Sequence, residues 1–294
     1  IRDRSPSRGL GDVYKRQGHV AIVEIQRPPH NFFDHSLISQ IADAFTVADD
    51  DPNCRSIVLA AQGKSFCAGA NFGTGKQDDS GSEDFTEEGF RNTTGILYRE
   101  AARLYGNKKP IVGAIQGAAI GGGLGLALVP DFRVVAPEAR FSANFVKLGI
   151  HQGFGLTVAL PRLIGQQAAN LMLLTGKRIG GEEAVKIGLA DDLVNLDELR
   201  NKALELAQEI AENAPLALLS VRATMRQGLA EAITEATEHE LSEQQRLRAT
   251  SDAIEGIKAV SERRPGNFQG LSLIHISEPT RRPPISYAVF CLKK

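Results

Sequence analysis

The sequence predicts an α/β fold, and three observations predict it. The chain opens as strand–helix–strand, two short apolar β-type runs each lead into a corner of small residues, and beyond Leu156 the pattern is almost wholly helical. A strand–helix–strand opening is the crossover unit of a parallel sheet.

Taken in order, His19 to Ile25 alternates and is β-branched, the pattern of a strand. Arg27-Pro28-Pro29-His30-Asn31 is a turn. Leu37, Ile41, Phe45 and Ala48 mark one face of a helix that the acidic run Asp49-Asp50-Asp51-Pro52 ends. Ile57 to Ala61 is a buried strand that passes through Gln62-Gly63 into Phe66-Cys67-Ala68-Gly69-Ala70. Residues 71–90, rich in Gly, Ser, Asp and Glu, are expected to form a mobile loop, and Phe90 to Leu104 a helix. The strand Ile111 to Ile115 leads through Gln116-Gly117 to Gly121-Gly122-Gly123, with an apolar helical run from Leu124 to Val129. Phe132 to Ala136 reads as another strand, and the segment from Ala139 to Gly155 is expected to carry chemistry. Helices follow over 157–164, 166–174 and 182–188, then an extended return at 189–194. Further helices are expected over 197–213, 215–227, 229–249 and 251–262, with Pro215 in a first turn, where it is tolerated.

With 294 residues and 42% hydrophobic side chains, the chain can bury a core in one large domain plus an appendage. Its 34 basic and 35 acidic residues nearly cancel, which gives no reason to expect a nucleic-acid partner. Cys54, Cys67 and Cys291 lack CxxC or Cys/His spacing, which argues against a disulfide framework and a metal site. A reducing, cytoplasmic compartment fits. No apolar run approaches the roughly 18 residues of a membrane span. Residues 1–17 and 271–294 lack periodicity and resemble translated sequencing-adaptor sequence, so the natural domain is expected over 18–270. The basic N-terminus lacks the apolar face of a transit peptide.

Three adjacent glycines each cost about 1 kcal/mol in a helix relative to Ala. They make sense where backbone must approach something closely. At a helix start, free N–H groups favour an anion or a developing negative charge, which is half of an oxyanion hole. The corner at Ala68 is the candidate for the other half. Two phosphate-loop readings fail. Gly117 and Gly122 have Walker-type spacing, but Gly123-Leu124 stand where Lys and Ser/Thr are needed, and Leu126 occupies the third Rossmann glycine position.

Ser65-Phe-Cys-Ala-Gly-Ala-Asn71 and Gln116-Gly-Ala-Ala-Ile-Gly-Gly-Gly-Leu124 together resemble the signature of the crotonase (enoyl-CoA hydratase/isomerase) superfamily, and the likeness runs from about Gly18 to Phe268. The resemblance implies a crotonase-like ββα spiral core over 18–195 with an acyl-CoA site. It also implies a C-terminal helical oligomerisation region over 196–270, forming homotrimers or dimers of trimers. By the same resemblance, the N–H groups of Ala68 and Gly122 hold a thioester oxygen as its enolate forms. Cys67, Gly69, Gly121, Asn144 and Phe145 then adjoin the substrate, and Arg263, at the end of the last helix, stands where CoA phosphates are contacted. A solvated helix end is the alternative for Arg263. Coenzyme A enters as part of the substrate, and no other cofactor is implied.

The family's hydratases use two carboxylates to add water across a double bond. The matching positions here are Gly125 and Phe145, and a third acid position of some relatives is Gly153. Neither glycine nor phenylalanine moves a proton. His151 is the first candidate for a non-standard acid/base. Asn144, His30, Glu87, Glu88 and Tyr98 are further polar candidates, while Asp131 and Cys67 read as structural. The expected function is an acyl-CoA lyase or isomerase working through an enolate or tetrahedral oxyanion. A non-catalytic acyl-CoA-binding or scaffold protein of the same fold is the alternative. A serine peptidase of the Clp type, which shares the fold, is disfavoured by Leu124 at the nucleophile position.

Overall fold

The structure, a computed structural model, describes residues 14–70 and 87–270. The elements run β1 (Tyr14–Gln17), β2 (Val20–Ile25), α1 (His35–Asp50), β3 (Ser56–Ala61), α2 (Glu87–Tyr105), β4 (Ile111–Ile115), β5 (Ala118–Ile120) and α3 (Gly122–Leu128). They continue with β6 (Phe132–Val135), β7 (Arg140–Ser142), a 3-10 turn at Asn144–Leu148, α4 (Leu156–Thr175), β8 (Arg178–Gly180), α5 (Gly181–Lys186) and β9 (Asp192–Leu193). The helices α6 (Leu199–Ala211), α7 (Pro215–Met225), α8 (Leu229–Arg248) and α9 (Ser251–Ser261) close the described chain.

Two sheets form. The larger has the order β1-β2-β3-β4-β6-β9 and is parallel apart from β1, which pairs antiparallel with β2. The smaller has the order β5-β7-β8. The chain thus steps from one sheet to the other, β4 to β5 before α3 and β6 to β7 before α4, which is the expected ββα winding. The central strands are covered on both faces, as parallel strands usually are. Ile57 and Leu59 of β3 enter the core that holds Ile38, Ile41 and Phe45 of α1. The alternate residues Val58 and Ala60 pack on the other side against Ala203, Ala207 and Ala211, the small-residue stripe of α6.

Helix α1 starts where Asp34 accepts a hydrogen bond from the Leu37 N–H at 2.8 Å, an N-cap interaction. The chain before and after β3 is tied by two buried amides. Asn31 Nδ2 donates to the carbonyls of Gln62 and Ser65, and Gln116 Nε2 donates to those of Ala61, Gly63 and Ser65. Between them they engage the carbonyls of Ala61, Gln62, Gly63 and Ser65, so the corner beyond the turn is held from both sides.

The structure shifts several expected boundaries. The sheet begins at Tyr14, inside the segment set aside as a tail, because Tyr14–Gln17 pairs along β2. Helix α2 starts at Glu87 rather than Phe90, and the rest of the expected loop, 71–86, lies outside the described residues. Three short strands, β5, β7 and β8, are additional to those expected. The split of helices 157–164 and 166–174 is present as a break in α4 at Gly165, with φ 76° and ψ 160°. Among the described residues no helix is long and apolar enough to cross a membrane. On α7 only Arg222 is buried, and Leu216, Val221 and Met225 are exposed.

Candidate active site

The two small-residue corners meet main chain to main chain. Cys67 N–H donates to the Ala118 carbonyl at 2.9 Å, and the Cys67 carbonyl accepts from Ile120 N–H at 3.1 Å. This lacing leaves no room for side chains. A Cβ on Gly69, which has φ 87°, would come within 2.7 Å of the Ile120 oxygen, and one on Gly123 would collide with the Cys67 carbonyl. Backbone atoms cannot swing aside as a flexible side chain can. Glycine at Gly123 is therefore a packing requirement.

Which N–H groups remain free then follows from a count of partners. Ala68 N–H donates to the His30 carbonyl at 3.0 Å, so the amide expected to face a ligand is already bonded within the protein. Gly69 N–H reaches the Cys67 sulfur, and Gly121 N–H donates to the Ser142 carbonyl at 2.9 Å. At Gly69 the missing Cβ serves the close approach of the two corners. In the first turn of α3, Leu124 and Gly125 N–H both bond the Gly121 carbonyl. Among the described residues, Ala70 N–H and the Gly122 and Gly123 N–H groups have no protein acceptor. Cys67 is fully buried, and burial pushes its thiol up to about 12. Its side chain is packed in the core.

Side chains enclose the corner. A Cβ on Gly122 would press on the Phe33 ring and lie 3.3 Å from Phe154, and one on Gly125 would come within 2.5 Å of Phe154. The Phe33 and Phe154 rings tilt against each other at 5.8 Å. Beside Gly121 stand Asn144 Oδ1 and the Phe145 ring, at 3.2 and 3.5 Å from where its Cβ would be. Among the described residues the side chain of Asn144 has no hydrogen-bond partner. The position where hydratases carry a first acid, Gly125, is thus closed by Phe154. The second, Phe145, packs its own ring against the core. At the third, Gly153, the space is taken by the Tyr98 hydroxyl and by Gln244.

The loop that brings Phe154 over the corner is held from α2 and α8. Gln244 donates to the His151 carbonyl at 2.8 Å and the Gln152 carbonyl at 3.2 Å, and accepts from the Tyr98 hydroxyl at 3.0 Å. Glu240, fully buried, accepts from Gly155 N–H, Thr157 N–H and the Thr157 hydroxyl, and so caps the start of α4 from a distant helix. Burial raises the Glu240 carboxyl above its ordinary range, against the pull of those three donors. Burial likewise raises the Tyr98 phenol. His151 stands on the α8 side: its Nδ1 is 2.9 Å from the Gln152 carbonyl, and its ring lies edge-on to His239 at 5.9 Å. The loop presents Phe154, not His151, to Gly122 and Gly125. Sequence reasoning missed Glu240 and Gln244. Their signal was the buried stripe Leu229, Ile233, Thr237, Glu240 and Gln244, an apolar helix face that turns polar along its length.

The remaining candidates sit further out. Arg263 has φ 55° and lines a cavity of about 490 Å³ with Lys147, Arg264 and Phe268, behind the 3-10 turn that carries Asn144. Asp131 accepts from Ile111 N–H, Arg222 and Arg226, which makes it a structural brace. His30 Nδ1 is 3.5 Å from the Ser65 hydroxyl, and its ring lies against Phe32. The side chains of Glu87 and Glu88 lie outside the described residues. Among the described residues no group of three or more His, Cys, Asp or Glu is arranged to hold a metal ion.

Comparison with known proteins adds the following. The enoyl-CoA hydratase/isomerase family description matches residues 15–271. Carnitinyl-CoA dehydratase from Escherichia coli K12 is 32% identical over 260 residues, covering 87% of this chain and 97% of its own length. An enoyl-CoA hydratase/isomerase from Pseudoalteromonas atlantica superposes with a TM-score of 0.75 at 25% identity, over 87% of this chain and 98% of that one. The enoyl-CoA hydratase from Bacillus anthracis does so with a TM-score of 0.67 at 29% identity, over 88% and 98%.

Proposed function

Because the chain belongs to the enoyl-CoA hydratase/isomerase family, we propose that it is a lyase or isomerase of acyl-CoA thioesters built around two backbone donors, Gly122 N–H and Ala70 N–H. One observation carries this reading. Where the two corners are laced together, these amides, with that of Gly123, have no acceptor among the described residues, while Cys67, Ala68 and Gly121 N–H are bonded. A thioester oxygen placed between them gains most as it becomes an enolate or tetrahedral oxyanion, and one such donor is worth roughly 3–4 kcal/mol in a preorganised site. Ala70 replaces Ala68 in this assignment because the His30 carbonyl already holds the Ala68 amide.

Coenzyme A takes part only as the handle of the substrate, with Arg263 and Lys147 available to its phosphates. The enzyme works in the cytoplasm as a homotrimer or dimer of trimers. The exposed Leu216, Val221 and Met225 of α7 support an assembly through 196–270. The absence of acids at Gly125, Phe145 and Gly153 favours one second reading, a protein that binds acyl-CoA without turning it over.

The test is infrared difference spectroscopy with a ¹³C=O-labelled acyl-CoA bound to the full chain. A bound thioester carbonyl shifted well to lower frequency is the expected result, since both donors pull charge onto the oxygen. A bound thioester with an unshifted carbonyl would refute the two-donor site. Polarisation without product from a broad acyl-CoA panel would leave the binding protein as the correct reading.

A further inference from the structure

A cavity of about 560 Å³ opens between α1, α2 and α8, within the roughly 300–1,000 Å³ usual for ligand pockets. It exists because facing positions carry small side chains. Gly95 and Ala102 of α2 and Ala230 and Thr234 of α8 leave a trough lined also by Phe45 and Leu241. The trough has its polar end away from the two corners. Asp49 and Asp50 precede β3, and Asn107 and Lys108 precede β4, whereas the corners follow those strands, which run parallel. That end therefore stands at the opposite edge of the sheet from Gly122.

The charges of the lining are not spent on one another. Arg103 is taken by Asp43 and Glu100. Among the described residues Arg99, Lys108, Asp50 and Glu238 form no ion pair. Free charges of both signs beside one apolar trough suit an occupant that bears both. A singly charged head is repelled by one sign, and a dipolar head is attracted by each. Asn107 decides the kind of cation. It is 7% exposed, its Nδ2 donates to Asp49 Oδ1 at 3.0 Å, and its Oδ1 has no hydrogen-bond partner among the described residues. A buried acceptor without a donor is costly, and an ammonium N–H supplies a donor where a quaternary ammonium cannot. We propose that this trough binds an apolar α-amino acid. The ammonium faces Asp50 and Asn107, the carboxylate faces Lys108, and the side chain lies between the helices along Phe45 and Ala102.

The experiment is isothermal titration of the full chain with 2-aminodecanoate, its N-trimethylated form, decanoate and decylamine, each below its micelle threshold. The amino acid should bind at least about fivefold more tightly than each of the others. Lys108→Glu should remove its advantage over decylamine, and Asp50→Lys its advantage over decanoate. Both side chains are exposed, so both variants should keep the circular dichroism of the parent. Thr234→Trp, placed in the lining from an exposed position of α8, should weaken binding of every probe by about tenfold or more. Equal affinity for all the heads would overturn the amino-acid assignment. Binding indifferent to Thr234→Trp would place it elsewhere and overturn the site. No binding of any probe would also overturn it, and a sedimentation coefficient that falls in Thr234→Trp would then identify a second copy of the chain as the occupant.

Discussion

Between Cys67 and Gly123 the chain is held by main-chain bonds, whereas between His151 and Thr157 it is held by side chains reaching across from α2 and α8. In the proposed site the first region sets where negative charge would be received, because its donors are amides with no rotamers. The second fixes what surrounds that charge, because Phe154 goes where Gln244 and Glu240 pin the loop. A backbone-built corner tolerates no added atom, and a side-chain-held loop tolerates exchange of its contents so long as its anchors remain.

The largest effect should come from Gly123→Ala. Its Cβ would meet the Cys67 carbonyl, so the variant should lose about 3 kcal/mol or more in urea unfolding, or fail to fold. Near-parental stability would show that the lacing yields, and would break the contrast. Next, Glu240→Ala leaves Gly155 N–H, Thr157 N–H and the Thr157 hydroxyl without an acceptor. It should cost about 2–4 kcal/mol by the same measurement. The raised carboxyl also has a pH signature. A proton held more tightly by the folded than by the unfolded chain means that stability falls as pH rises from the ordinary value of 4.5 through the raised one. Glu240→Gln should flatten that slope, and an unchanged slope would place the titration elsewhere.

A smaller effect sharpens the boundary between the regions. Gly125→Ala should cost about 1–3 kcal/mol because of Phe154, and much less in a Phe154→Ala background. Additive losses in that cycle would mean that the clash is with something other than the ring. Least of all, His151→Ala should change turnover of whichever acyl-CoA proves to be the substrate by less than about tenfold, as its ring lies against His239. A drop of 100-fold or more would return proton transfer to this imidazole.

The strands of five or six residues and the two corners were legible because buried β-branched runs and adjacent glycines each have one economical explanation. The break at Gly165 was legible for the same reason. The three-residue strands β5, β7 and β8 were not, since so short a run carries no period. The resemblance led to this corner and to an amide already bonded within the protein. Which of several consecutive N–H groups stays free depends on the His30 carbonyl, 38 residues before Ala68, and no local pattern records that contact. The anchors Glu240 and Gln244 were hidden by type: a buried Glu on a helix looks like a solvated one until its partners across the fold are known.

Helix α7 carries one further consequence. Its single buried side chain is Arg222, which reaches the Asn107 carbonyl and Asp131, so the helix is fastened by a guanidinium while its leucine, valine and methionine stand in water. A second copy of the chain that covered that ridge, as proposed above, would cover it only in the folded form. By mass action the melting temperature would then climb with protein concentration, and dilution alone would act as a denaturant.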